Sequence, residues 1–112
     1  MMDTNSAFAA YGIHIPVKAS AWQATEGLDE QLAQLPDCPD VSYMAGGDDT
    51  QEQLFLVTYR EYVPPGTHVR ADATPEHRAV WDAQLARAVS ALGFGDLDGL
   101  QEPAWLWITE VS

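Results

Sequence analysis

The stretch VSYMAGGDDTQEQLFLVTYREY, residues 41–62, decides how this chain folds. Val41, Tyr43 and Ala45 alternate with other residues at the period of a strand. Gly46-Gly47-Asp48-Asp49 is then a cluster of turn formers, and Gln53 to Tyr62 is the most β-prone run in the chain. Two such runs joined by a glycine-rich turn predict a β-hairpin.

Upstream, Pro36 to Asp40 closes a segment in which Ala21, Ala24, Leu28, Leu32 and Leu35 recur at steps of three and four. That spacing predicts an amphipathic helix over 21–35, with Ser20 and Gln23 at a capping-box spacing. Gly27 costs such a helix about 1 kcal/mol relative to Ala, so a start near Thr25 is the alternative. Before it, Tyr11, Ile13, Ile15 and Val17 alternate with Gly12, His14 and Pro16, which predicts a first strand. Downstream, Pro64-Pro65-Gly66 breaks the chain and opens a connector through Ala73. Thr74-Pro75-Glu76 then reads as a helix start, with Thr as N-cap and Pro at the first helical position. Trp81, Leu85, Ala88 and Leu92 mark its apolar stripe and Gly93 its end. Ala104 to Val111 is a last strand. The order is therefore β-α-β-β-α-β within a single domain, 1–112. It predicts an α+β fold of the ferredoxin-like type, an antiparallel sheet with two helices on one face.

The chain has 112 residues, with 17 acidic side chains against 5 basic ones and a net charge of −12. At 46% hydrophobic it is a folded globule, not an acidic disordered tail. The charge argues against direct binding to nucleic acid or an anionic membrane, since both need a surplus of Lys and Arg. No run approaches the ~20 apolar residues of a membrane-spanning helix. Met1 to Ala10 lacks the basic start of a signal peptide, and Cys38 is the only cysteine. An intracellular, cytoplasmic protein is expected, without an internal disulfide.

Strict alternation places Leu54, Leu56, Leu106 and Ile108 in one set and Phe55, Val57, Tyr59, Trp105 and Trp107 in the other. Both sets are apolar, although a sheet face meeting water should be polar. Assigning the aliphatic set to the helices leaves an aromatic face of Phe55, Tyr59, Trp105 and Trp107, with His14 beside it. An open face of roughly a few hundred Å² needs a cover. The 63–73 connector, the N-terminal residues, a second copy of the chain or a ligand would each supply one. RNA-binding folds stack bases on such aromatics, but no Lys/Arg-flanked aromatic motif accompanies them here.

Little else carries chemistry. His68, Arg70 and Asp72 are spaced by two in the connector, without a nucleophile to serve. His77 pairs at helical spacing with Trp81, and the three histidines lack the i, i+4 partner of a helical zinc site. Acidic neighbours disfavour a Cys38 thiolate. Gly46-Gly47 is followed by two aspartates that would repel phosphate, and the segment lacks the ligand spacing of an EF-hand loop. No catalytic residue, cofactor or metal is indicated.

The charge is unevenly spread. Residues 1–59 carry nine acidic groups and one lysine, residues 60–87 balance four arginines with four acids, and residues 88–112 add four acids. Half the carboxylates on one face of a globule about 35 Å across would average about one per 4 Å, against one per ~1.7 Å in duplex DNA. That is too sparse for a duplex mimic. The expected function is binding, with Glu26, Asp29, Glu30, Asp48, Asp49, Glu52, Asp96 and Asp98 steering the protein onto a basic protein partner. One concrete form is an inhibitor, such as a phage anti-defence protein, that occludes a nucleic-acid-binding surface. The alternative is a homodimeric α+β-barrel type enzyme or small-molecule binder, its pocket lined by His14, Phe55, Tyr59, Trp105 and Trp107.

Overall fold

A computed structural model of the chain describes residues 5–16, 27–47, 52–64, 66–68, 70 and 72–111. In chain order they form β1 (Asn5–Ile15), α1 (Leu28–Ala33), β2 (Ser42–Gly47), β3 (Glu52–Val63), α2 (Pro75–Ala91) and β4 (Ala104–Val111). Among the described residues the fold is α+β, a four-stranded antiparallel sheet in the order β2-β3-β1-β4 with two helices.

The hairpin forms, with Ala45 opposite Leu54 and Gly47 opposite Glu52, so that Gly46 and Gly47, expected in the turn, are paired residues of β2. Its tip, 48–51, lies outside the described residues. So do 17–26, and with them Val17 and the first part of the expected 21–35 helix. What is described of that helix begins after Gly27, whose φ of 76° is left-handed, and ends at Ala33. α2 follows its sequence signals closely. Thr74 Oγ1 accepts from the His77 N–H at 3.1 Å, Pro75 opens the helix, and Gly93 closes it with a φ of 80°. The Phe94 N–H reaches the Val89 carbonyl and the Gly93 N–H that of Ser90, the paired bonds of a Schellman end.

β1 begins at Asn5, not Tyr11 as the alternation suggested. Its alanine-rich start has low strand propensity. It is nevertheless central, paired with β3 on one side and β4 on the other, so ladder bonds on both flanks hold it extended.

Two features shape the sheet. The first is a bulge: Tyr11 faces Tyr59 and Gly12 faces Val57, which leaves Thr58 without a partner on β1. An extra residue on one strand inverts its alternation beyond that point. Gly12 is required there, because a Cβ would sit 2.1 Å from the Leu56 carbonyl oxygen. The second is curl. β2 and β4 are opposite edges of the sheet, yet a Cβ on Gly46 would fall 2.7 Å from Ile108 Cγ2. The sheet bends until its edges approach across the concave side.

Each face therefore holds its own core. On one, Leu28 of α1 and Leu85, Ala88 and Val89 of α2 pack with Tyr11, Ile13, Ile15, Leu54 and Leu56. On the other, Ala10, Met44, Phe55, Val57 and Ile108 pack together, with no helical residue among the described ones. Gln84 is the buried polar side chain between α2 and the α1–β2 connector. Its Nε2 donates to Asp40 Oδ2 and its Oε1 accepts from the Asp40 N–H, both at 2.9 Å, so burial leaves neither end unpaired.

Candidate functional site

The bulge reassigns the aromatic residues. Tyr59, Tyr11 and Trp105 stand level on β3, β1 and β4, and Trp81 comes down on them from α2. Ring centroids are 5.1 Å apart for Tyr11 and Trp105, 5.4 Å for Tyr11 and Trp81, and 6.0 Å for Tyr59 and Trp105. Trp81 stacks on Tyr59 at 5.9 Å and meets Trp105 edge-on at 6.3 Å. Rings this close pack against one another and fill the space between them.

Two carboxylates tie down its hydroxyls. Tyr11 donates to Asp82 Oδ1 at 2.6 Å, and Tyr59 donates to Glu61 Oε1. Burial, with the Asp82 hydrogen bond and charge adding to it, pushes the Tyr11 pKa up to about 12. The bond to Glu61, then burial, raises that of Tyr59.

The expected aromatic face is thus divided. Tyr59 points toward α2, contrary to strict alternation, because Thr58 shifts the parity of β3; Trp105 lies on the same side because it pairs with Tyr11. Phe55 is on the concave side, where His14 adjoins it at 5.4 Å. Trp107 faces Ala9 on β1 and is 63% exposed. The aliphatic set divides as well. Leu54 and Leu56 meet the helices as expected, whereas Leu106 and Ile108 belong to the concave core. No single surface unites the five residues His14, Phe55, Tyr59, Trp105 and Trp107.

The acidic residues are more dispersed than their proposed common role suggests. Asp29 and Glu30 occupy the first turn of α1, and the Tyr43 hydroxyl of β2 reaches Asp29 at 3.5 Å. Asp96 and Asp98 are exposed in the α2–β4 connector. Glu52 begins β3, while Glu26, Asp48 and Asp49 lie outside the described residues. Among the described acidic side chains all are exposed except Glu61, which is half-buried.

Two grooves flank the helices. One, of about 330 Å³, runs between α2 and the connector to β4. Ile13, Leu85, Val89 and Leu100 give it an apolar lining, and Asp82 and Glu102 are its charged residues; among the described residues no Lys, Arg or His lines it. The other, of about 450 Å³, lies beside α1, with Asp29 as its charged residue and Leu32, Leu35, Cys38 and Val41 among its apolar ones. Sequence reasoning missed Asp82 and Glu102. Asp82 fell in the block whose charges cancel, and nothing in the spacing of the two links them.

The Cys38 thiol donates to the Gln84 carbonyl oxygen at 3.4 Å. Its pKa is raised chiefly by burial, more than the Arg87 charge lowers it, with Asp37 adding to the rise. Acidic neighbours are therefore the minor cause. His77 stacks on Trp81 at 5.6 Å, while His68, Arg70 and Asp72 are exposed in the connector. Among the described residues no group of three or more His, Cys, Asp and Glu is placed to hold a metal ion, and no helix is long and apolar enough to cross a membrane.

No protein-family profile matches the chain, and comparisons with curated proteins and with solved structures return no significant match.

Proposed function

We propose that this chain is a small acidic binding protein of the cell interior that docks on a basic protein surface. We further propose that its scaffold is the ferredoxin-like one, a reading supported by the element order and by the strand order β2-β3-β1-β4. The observation that carries the function is the α2–β4 connector, where Asp96, Asp98 and Glu102 stand exposed in a segment without a basic residue. Exposed carboxylates contribute little affinity pair by pair. Summed, they raise the rate of encounter with a cationic partner and reject anionic ones. An inhibitor that covers a nucleic-acid-binding surface is the concrete form of this reading. The division of the aromatic residues between the two sides of the sheet supports this reading over a dimer or ligand pocket built on one aromatic face.

The test is capture of partners on the immobilised protein, compared with a D96N/D98N/E102Q variant. Proteins with basic surfaces retained at low salt, released at high salt and lost with the variant are the expected result. Retention that ignores both salt and neutralisation would sink the reading.

A further inference from the structure

The groove between α2 and the connector combines two things that rarely meet on an acidic surface. Its lining is apolar, from Ile13, Leu85, Val89 and Leu100, and among the described residues its only charged ones are Asp82 and Glu102. At about 330 Å³ it lies at the small end of the range of roughly 300–1,000 Å³ for ligand sites. A free anion is repelled from such a slot, and a neutral apolar body leaves two carboxylates to be desolvated without a partner. The matching shape is a long apolar stem that ends in a cation.

We propose that this groove is an anchor socket for an arginine side chain presented by a segment of a basic protein partner. The inference rests on the docking reading above and gives it a centre. Arginine suits the socket better than lysine. Its guanidinium is weakly hydrated and planar, so it loses less on leaving water and can engage a carboxylate through two parallel bonds. Its methylenes cover the apolar lining, as long basic side chains do elsewhere. Asp82 is already fixed in place, since the Tyr11 hydroxyl holds one of its oxygens at 2.6 Å. That bond lowers the entropy the carboxylate loses when it receives a cation. Asp96 and Asp98 on the same connector supply attraction at longer range, where the socket supplies residence.

The probe is a fluorescein-labelled octaarginine peptide, followed by anisotropy against the full chain. D82N/E102Q removes both groove charges while keeping an acceptor for Tyr11. D29N/E30Q removes the same charge from α1, outside the groove. Ala86 is exposed and lines the groove, so A86F obstructs the socket with every charge intact. The groove pair should weaken binding about tenfold, A86F by a similar factor, and D29N/E30Q by about twofold or less. Equal losses from the two neutralised pairs, or unchanged binding by A86F, would overturn the socket and leave the general docking reading standing. No binding by the unaltered chain at low salt would overturn both.

Discussion

The Tyr11 hydroxyl on the central strand donates to Asp82 on α2 at 2.6 Å, across 71 positions of sequence. This bond joins the sheet to the helix at the aromatic cluster and at the edge of the acidic groove together. Burial, with this bond and the Asp82 charge adding to it, keeps Tyr11 protonated well above the usual range, with a pKa of about 12 against a reference of 10.0. The native state therefore holds this proton where the unfolded chain releases it. Its stabilising effect is full below pH 10.0 and is lost as pH rises through about 12. Tyr11→Phe should flatten the fall in stability over that window and cost about 1 kcal/mol at neutral pH. Chemical denaturation of both proteins from pH 7 to 12 measures the difference.

The approach of β2 to β4 makes Gly46 sensitive to size. A methyl group there meets Ile108 Cγ2 at 2.7 Å and the Thr109 carbonyl oxygen at 3.0 Å. Gly46→Ala should destabilise by about 1–3 kcal/mol, the usual cost of overpacking. Ile108→Val added to it should recover part of that loss, giving a double-mutant cycle whose two positions are not additive.

Gln84 clamps the α1–β2 connector onto α2 through both ends of its amide. Cys38, on the same connector, is buried with its thiol bonded to the Gln84 backbone. Gln84→Ala should cost about 1–2 kcal/mol and expose the thiol by local opening. Iodoacetamide labelling of native protein, slow in the unaltered chain, should accelerate in the variant. Unchanged labelling would show that the clamp does not hold the connector.

Trp105 and Trp107 sit two residues apart and should respond very differently. Trp105→Ala removes a ring packed against three others and should cost about 3–5 kcal/mol. Trp107→Ser alters a side chain that is 63% exposed and should stay within about 0.5 kcal/mol. Thermal unfolding ranks the two directly.

Local signals in the sequence located the elements well. The β2–β3 hairpin, the Thr74-Pro75 helix start and the Gly93 helix end all rest on side-chain chemistry within a few residues of the feature. The faces of the sheet were not legible in the same way. Alternation counts residues and cannot see that Thr58 has no partner, so Tyr59 was placed opposite its true side. Curl has no local mark either, and the glycine at 46 read as part of a turn. The groove shares this limit, since Asp82 and Glu102 become neighbours only through the path of the connector.

The two cores share their strands. β1 sends Ile13 into the core beneath the helices and Ala10 into the concave one, three residues apart on one backbone. Pulling β1 from between β3 and β4 removes a wall from both at once. Dismantling the sheet should therefore be cooperative, and the amide protons of β1 should be the last to exchange with solvent.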